Sequence, residues 1–193
     1  MKRWLFAGAA ACAFALPASA ALKVGDSAPP FSARAALAGK AFDFSLKQSL
    51  RKGPVVVYFF PAAFTNGCNI QAHGFAQRQA QFAAAGATVV GVSLDTIGRL
   101  AEFSADPAYC GGKVVVASDV DGAIAAAYAL NVRQAVAGKT DTRGAAIEHG
   151  LAERATFVVG RDGRIAGVIA GVDPEANVGQ ALALAQTLAA GRR

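Results

Sequence analysis

The sequence predicts an α/β layer fold, a central mixed sheet flanked by helices, on three observations. Residues 55–60 (VVVYFF) form a continuous apolar, β-favouring run bounded by Gly53-Pro54 and Pro61, the pattern of a strand buried on both faces. A helical stretch over 68–85 closes at Gly86 and leads into a second apolar run, 87–94 (ATVVGVSL). Strand, helix and strand in that order imply parallel pairing through a right-handed crossover. Farther on, 156–159 and 165–170 flank Arg161-Asp162-Gly163, whose Asp-Gly step marks a β-hairpin.

The other elements follow in chain order. Residues 1–20 read as a secretory signal peptide: Lys2 and Arg3 give a positive start, residues 4–16 are apolar, and Ala18-Ser19-Ala20 offers a small-residue cleavage site. The apolar run is shorter than the roughly 20 residues a spanning helix needs. The expectation is a periplasmic or secreted protein without a stable membrane anchor, its mature chain one domain over 21–193. Residues 22–31 contain Pro29-Pro30 and cannot be a helix interior, so they read as an extended lead-in. After the second strand come a helix over 97–104, a break at Asp106-Pro107 and a strand over 113–117. Asp119 to Gly122 caps a short helix over 123–128, and 133–150 is a polar loop with no assigned structure. An Ala- and Leu-rich helix over 174–190 closes the chain. A parallel βαβ unit followed by a hairpin and a terminal helix describes a thioredoxin-like layer structure.

Composition narrows the function classes. The 54% hydrophobic content is ample for one core. Net charge is +6, falling to +4 once Lys2 and Arg3 leave with the signal, since no acid leaves with them. The cations are scattered singly rather than gathered in a stripe with aromatic partners, so nucleic-acid binding is not expected. Of three cysteines, Cys12 belongs to the signal, which leaves Cys68 and Cys110. An even pair in an oxidising compartment reads first as a disulfide, but the two lie in very different surroundings.

Cys68 stands between the central strand and the first long helix. The first N–H groups of a helix lack intrahelical partners and the macrodipole is positive there, so a thiolate in the first turn is stabilised. Ligand sites in open α/β sheets also gather at the carboxyl ends of strands, where this loop falls. Pro61 would stiffen the loop and keep water from the sulfur. Thr65 brings a hydroxyl able to accept from the backbone and donate to sulfur or to a bound oxygen.

Pro61, Thr65 and Cys68, spaced Pro-x-x-x-Thr-x-x-Cys, resemble the active-site motif of the peroxiredoxins. The context is similar to the bacterioferritin-comigratory class in particular: Phe59-Phe60-Pro61, the continuation Cys68-Asn69-Ile70-Gln71-Ala72, Ser118-Asp119 before a helix, and Arg154-Ala155-Thr156-Phe157. The resemblance covers about residues 23–185. It implies a thioredoxin-like fold and a thiol peroxidase that needs no cofactor. Cys68 would be the peroxidatic thiolate, Thr65 would position the peroxide, Pro61 would shield the pocket, and Arg154 would stabilise both the thiolate and the charge developing on oxygen. An always-charged planar donor beside sulfur agrees with that role. Gln71, where the motif often carries an acid, either hydrogen-bonds the arginine or is an exposed helical amide.

One position departs from the class. Many members carry a second cysteine five residues beyond the first, and here that residue is His73. Some relatives place the resolving cysteine on a later helix, which makes Cys110 the candidate, with an external thiol as the alternative. The implied partners are a peroxide and a thioredoxin-like periplasmic dithiol, the chain itself being a monomer or homodimer. A disulfide reductase would need Cys-x-x-Cys, where Gln71 stands, and a copper-delivery protein would need Cys-x-x-x-Cys, where Ala72 stands. His73 and His149 are expected to be polar surface residues.

Overall fold

The computed structural model describes residues 21–191, so the expected signal segment with Cys12 lies outside the described residues. In chain order the elements are β1 (Ser32–Leu37), β2 (Lys40–Ser45), α1 (Leu46–Lys52), β3 (Val55–Phe59), α2 (Asn66–Gln77), α3 (Gln79–Ala84), β4 (Thr88–Ser93), α4 (Ile97–Ala105), β5 (Val115–Ser118), α5 (Ala123–Ala127), β6 (Val132–Arg133), β7 (Leu151–Ala152), β8 (Ala155–Val159), β9 (Ile165–Ala170) and α6 (Pro174–Ala190). Seven strands form one mixed sheet in the order β2-β1-β5-β4-β3-β8-β9. β3 pairs parallel with β4, and β4 with β5, while β8 runs antiparallel to β3.

The all-apolar sequence of β3 follows from its place in that order. Successive side chains leave a strand on opposite faces. Val56 and Tyr58 enter a core with Phe75, Phe82, Phe103 and Val178 from α2, α3, α4 and α6. Val55, Val57 and Phe59 enter a second core with Leu46, Ala125, Tyr128 and Phe157. The strand is therefore covered on both sides and carries no solvent face, each large side chain contributing about 2–3 kcal/mol by burial. Close approach across this layer demands glycine at Gly91, where a Cβ would stand 2.5 Å from Tyr58 Cζ.

Several expected boundaries are corrected. The expected helix over 68–85 begins two residues earlier, at Asn66, and is interrupted at Arg78 (φ −97°, ψ 8°) before resuming as α3. No proline or glycine marks that break; it is closed instead by Arg78 accepting from Gln81 N and Phe82 N. The strand expected at 113–117 is Val115–Ser118. The segment from 32 to 52 holds a hairpin and a helix that the sequence reading did not assign. β1 (SARAAL) is alanine-rich and carries little intrinsic strand preference, yet Ala35 and Ala36 are wholly buried because β1 pairs with both β2 and β5. The hairpin turns at Ala38 and Gly39, both at positive φ, the two-residue geometry that matches strand twist.

Residues 133–150 contain little regular structure, as expected, but they are not loosely held. They leave β6 and return to β7, Thr140 bridges Ala146, and Asp141 within them is buried.

Candidate active site

β3, paired parallel with β4 and followed directly by α2, delivers the 60–65 loop to the carboxyl end of the central strand. Thr65 is the N-cap residue of α2, in extended conformation, and Cys68 is the third residue of the helix. Asn69 N makes the first helical bond, to Thr65 O at 2.8 Å, which leaves the N–H groups of Asn66, Gly67 and Cys68 without intrahelical acceptors. Cys68 is 2% exposed, and Pro61, at the head of the loop, is half-buried.

Sheet topology brings in the distant cation. Ala155 of β8 pairs with Phe59, the last residue of β3, so the antiparallel strand starts where β3 ends. Arg154, one residue earlier, is thereby placed over the start of α2. Its Nη2 donates to Cys68 Sγ at 3.3 Å. A hydrogen bond from a charged donor favours the ionised form of its acceptor. The other terminal nitrogen, Nη1, donates to Gln71 Oε1.

Gln71 is wholly buried, so of the two open readings the exposed helical amide is excluded. Its orientation is fixed by the groups behind it. Asn177 Oδ1 accepts from Gln71 Nε2 at 2.9 Å and from Thr156 Oγ1 at 2.7 Å, while Asn177 Nδ2 donates to Ile169 O at 3.4 Å. Because Asn177 faces Gln71 with an acceptor, Gln71 turns its amide nitrogen inward and its oxygen to Arg154. Neither Thr156 nor Asn177 is given a role by the sequence: Thr156 enters only within the expected strand and the resembling segment from Arg154 to Phe157, and Asn177 is one of several polar residues in the first turns of α6.

Thr65 behaves differently from expectation. Its hydroxyl donates, to Ala62 O at 2.8 Å, rather than accepting from backbone, so the proton is committed and the oxygen lone pairs are what it offers a ligand. A cavity of about 380 Å³ adjoins it, walled by Asn66, Lys139, Thr140, Thr142 and Ile147. Phe64, at φ +63°, occupies the left-handed region that a bulky residue enters at a cost of about 1–3 kcal/mol. Its ring is buried against Phe103 and Tyr109, with centroids at 5.0 and 5.7 Å.

Cys110 belongs, like Cys68, to the core on the α2 and α4 side of the sheet. Both cysteines are free, and Cys110 is wholly buried in the α2/α4 side core, where burial, reinforced by Asp106, pushes its thiol well above the ordinary range. His73 is exposed and contacts Gln77, as expected of a surface histidine. His149 is not one: its side chain is 22% exposed and its Nε2 lies 2.9 Å from Asp95 Oδ1. Among the described residues no group of three or more His, Cys, Asp and Glu side chains could hold a metal ion, and no helix is long and apolar enough to cross a membrane.

Known proteins resemble this chain in sequence and in fold. Residues 24–168 match the AhpC/TSA family. A Mycobacterium tuberculosis chain named as a peroxiredoxin is 30% identical over 143 residues, which is 74% of this chain and 84% of its own. The Escherichia coli peroxiredoxin Bcp is 37% identical over 83 residues, covering 43% of this chain and 51% of that one. The crystal structure of peroxidoxin BcpB from Mycobacterium tuberculosis superposes with a TM-score of 0.71 at 28% identity, over 86% of this chain and 97% of that one. Xanthomonas campestris peroxiredoxin Q, at 24% identity, shares the fold with a TM-score of 0.63 over 81% and 90%. The chain thus belongs to the AhpC/TSA family as a peroxiredoxin of the bacterioferritin-comigratory class, an enzyme acting as a thiol peroxidase.

Proposed function

We propose that the chain reduces hydrogen peroxide and organic hydroperoxides through a sulfenic acid on Cys68. The observation that carries this reading is the 3.3 Å contact from Arg154 Nη2 to Cys68 Sγ, at the start of a helix and within a mostly buried site. The sulfur attacks one peroxide oxygen; an S–O bond forms, the O–O bond breaks, and the departing oxygen takes a proton to leave as water or an alcohol. Sulfur is oxidised by two electrons and the peroxide reduced by the same two. Arg154 faces the charge that grows on oxygen, and a preorganised donor in a water-poor site needs no rearrangement to do so. Thr65, its own proton committed to Ala62 O, accepts from the peroxide O–H and so holds that hydroxyl oxygen, the one sulfur attacks and keeps as sulfenic acid, toward Cys68. The half-buried Pro61 shields the sulfur from water.

A thiol then condenses with the sulfenic acid, releasing water and forming a disulfide that a dithiol reductant reopens. Cys110, the resolving candidate from the sequence, could attack only after the turn around Tyr109 to Lys113 opens, because its sulfur is enclosed. That enclosure favours capture by an external thiol. The N-terminal segment supports export, and with it a thioredoxin-like dithiol outside the cytoplasm as the partner.

Intact mass spectrometry after one equivalent of peroxide tests the reading. One oxygen added to a thiol mapped to Cys68, or a mixed disulfide with a supplied small thiol, is the expected outcome. Loss of two hydrogens within one chain would assign resolution to Cys110. Oxygen added elsewhere with Cys68 unmodified would refute the peroxidatic role.

A further inference from the structure

The loop that carries Thr65 is held by a second group of charged residues, none of which touches Cys68. Asp95, just beyond β4, accepts from Ala63 N at 2.7 Å and from Ser93 Oγ at 2.6 Å through Oδ2. Arg99 of α4 donates from Nη2 to Ala63 O at 3.1 Å and to Asp141 Oδ2 at 2.6 Å, and its Nε lies 2.8 Å from Asp95 Oδ1. Thr142 donates to Phe64 O from both N and Oγ1, at 2.9 and 2.7 Å. The Arg143 guanidinium lies over the Phe64 ring, 3.2 Å from its centroid. The contacts of Asp95, Arg99, Thr142 and Arg143 with the loop all land on Ala63 and Phe64, the two residues before Thr65.

His149 closes the group from the far end of the same polar segment. Its Nδ1 lies 2.8 Å from Gly150 O and its Nε2 2.9 Å from Asp95 Oδ1. Both partners are acceptors only, so both ring nitrogens must carry hydrogen; neutral imidazole has one N–H and can satisfy only one of them. The full set of contacts is therefore that of the imidazolium. When the ring loses its proton, either Gly150 or Asp95 faces a lone pair.

We propose that His149 is a positioning residue for the peroxidase reaction, which as imidazolium holds Asp95 on the Ala63 N–H and so keeps Thr65 in place to receive peroxide. This rests on the peroxidase reading of Cys68 and goes beyond it, because none of the clamp residues belongs to the motif or to the Arg154 side of the site. The charged groups acting on His149 are Asp95, which favours the cation, and Arg99, which opposes it; burial also opposes it, and the Asp95 hydrogen bond and charge prevail, so its ionisation lies above the ordinary imidazole value. Asp141 and Arg143, on the same segment, act through Arg99 and Phe64. The cation is thus retained at neutral pH and lost on the alkaline side.

The test is the second-order rate of Cys68 oxidation by hydrogen peroxide as a function of pH, in the wild type, His149→Gln and His149→Arg. Taking the ratio of variant to wild type at each pH removes the ionisation of the sulfur itself. At acid pH His149→Gln should be slower by about tenfold, and the ratio should climb toward one as pH rises and the wild type loses its own cation. His149→Arg, whose forked donors stay charged, should match the wild type at low pH and exceed it at high pH. A ratio that is flat with pH, at one or below it, overturns the proposal. Should His149→Gln fail to fold, ¹⁵N resonances of the wild-type imidazole decide the matter: two N–H protons persisting on His149 above the ordinary imidazole value of about 6.5 support the clamp, and loss of one at or below that value overturns it. Cys68→Ser is the separate control: if that variant still consumes peroxide the underlying reading fails, whereas an inert Cys68→Ser beside an unaffected His149→Gln removes only the clamp.

Discussion

At the scale of single residues, the site is two hydrogen-bond systems meeting at one sulfur and one hydroxyl. Arg154 is steered by Gln71, and Gln71 by Asn177, so a substitution at either end is felt along the chain. Arg154→Leu should slow peroxide reduction by about a hundredfold, the usual consequence of losing one preorganised donor, and should lower the denaturation midpoint by stranding the buried Gln71 Oε1. Gln71→Leu should do both: it leaves Asn177 and the guanidinium short of a partner, costing about 1–3 kcal/mol in chemical denaturation, and it frees Arg154 to drift from the sulfur. Equal stability of Gln71→Leu and wild type would contradict the chain of donors and acceptors. Cys68 and Thr65 were legible in the sequence because the motif is local. The neighbourhood of Arg154 was legible only through resemblance, since no spacing rule joins residues 86 apart. Asp95, Arg99 and Asn177 were not legible, because a polar residue at a strand end or in a helix carries no mark of what it will face. His149 was misread for the same reason: a histidine in a polar segment is ordinarily solvated, and here Asp95 buries it.

At the scale of elements, α2 joins chemistry to packing at Gly67. A Cβ there would stand 3.1 Å from Arg154 Nη2 and 3.7 Å from Pro174 Cγ. Alanine is intrinsically better than glycine in a helix by about 0.5–1 kcal/mol, so Gly67→Ala should keep or slightly raise the thermal midpoint while slowing peroxide reduction, as the guanidinium gives way. Gly91→Ala should behave oppositely. Its Cβ would collide with the Tyr58 ring, 2.5 Å away, in a fully buried layer where overpacking costs about 1–3 kcal/mol. The strands β3, β4, β8 and β9 and the helix α6 could be read from apolar runs, the Asp-Gly turn and the Ala- and Leu-rich last stretch; in the structure Asp173 caps α6, accepting from Ala176 N at 2.8 Å. The β1–β2 hairpin could not, because alanine becomes a core strand residue only where neighbouring strands cover it. The break at Arg78 likewise has no local signal; both Phe75 and Phe82 remain in the core on either side of it.

For the molecule as a whole, the buried charges set a pH window of stability. Burial raises the ionisation of Asp95 and Asp141, but hydrogen bonds from His149, Ser93 and Ala63 N to Asp95, and from Ala145 N, Arg99 and Arg143 N to Asp141, outweigh it and hold both below the ordinary carboxylate value. A carboxylate depressed in the folded state contributes stability that is present above its unfolded pKa and lost as pH falls through its folded one. Asp119, raised by burial despite capping α5 through Ile124 N and Ala125 N, partly offsets that acid limb. His149, raised, contributes stability that is complete below its unfolded pKa and fades as pH climbs through its folded one. Thermal midpoints should therefore peak between the carboxylate range and the alkaline side of the histidine range, and His149→Gln should flatten the alkaline limb and weaken the acid one, since Asp95 loses a group that holds it down. The chain's defining claim is more direct still, that one sulfur at the mouth of α2 does the chemistry. It is decided by following hydrogen peroxide consumption with a dithiol supplied in excess, for the wild type and for Cys68→Ser. Turnover by the wild type and none by a folded Cys68→Ser is the expected result; continued turnover by the serine variant would remove Cys68, and the site built around it, from the reaction.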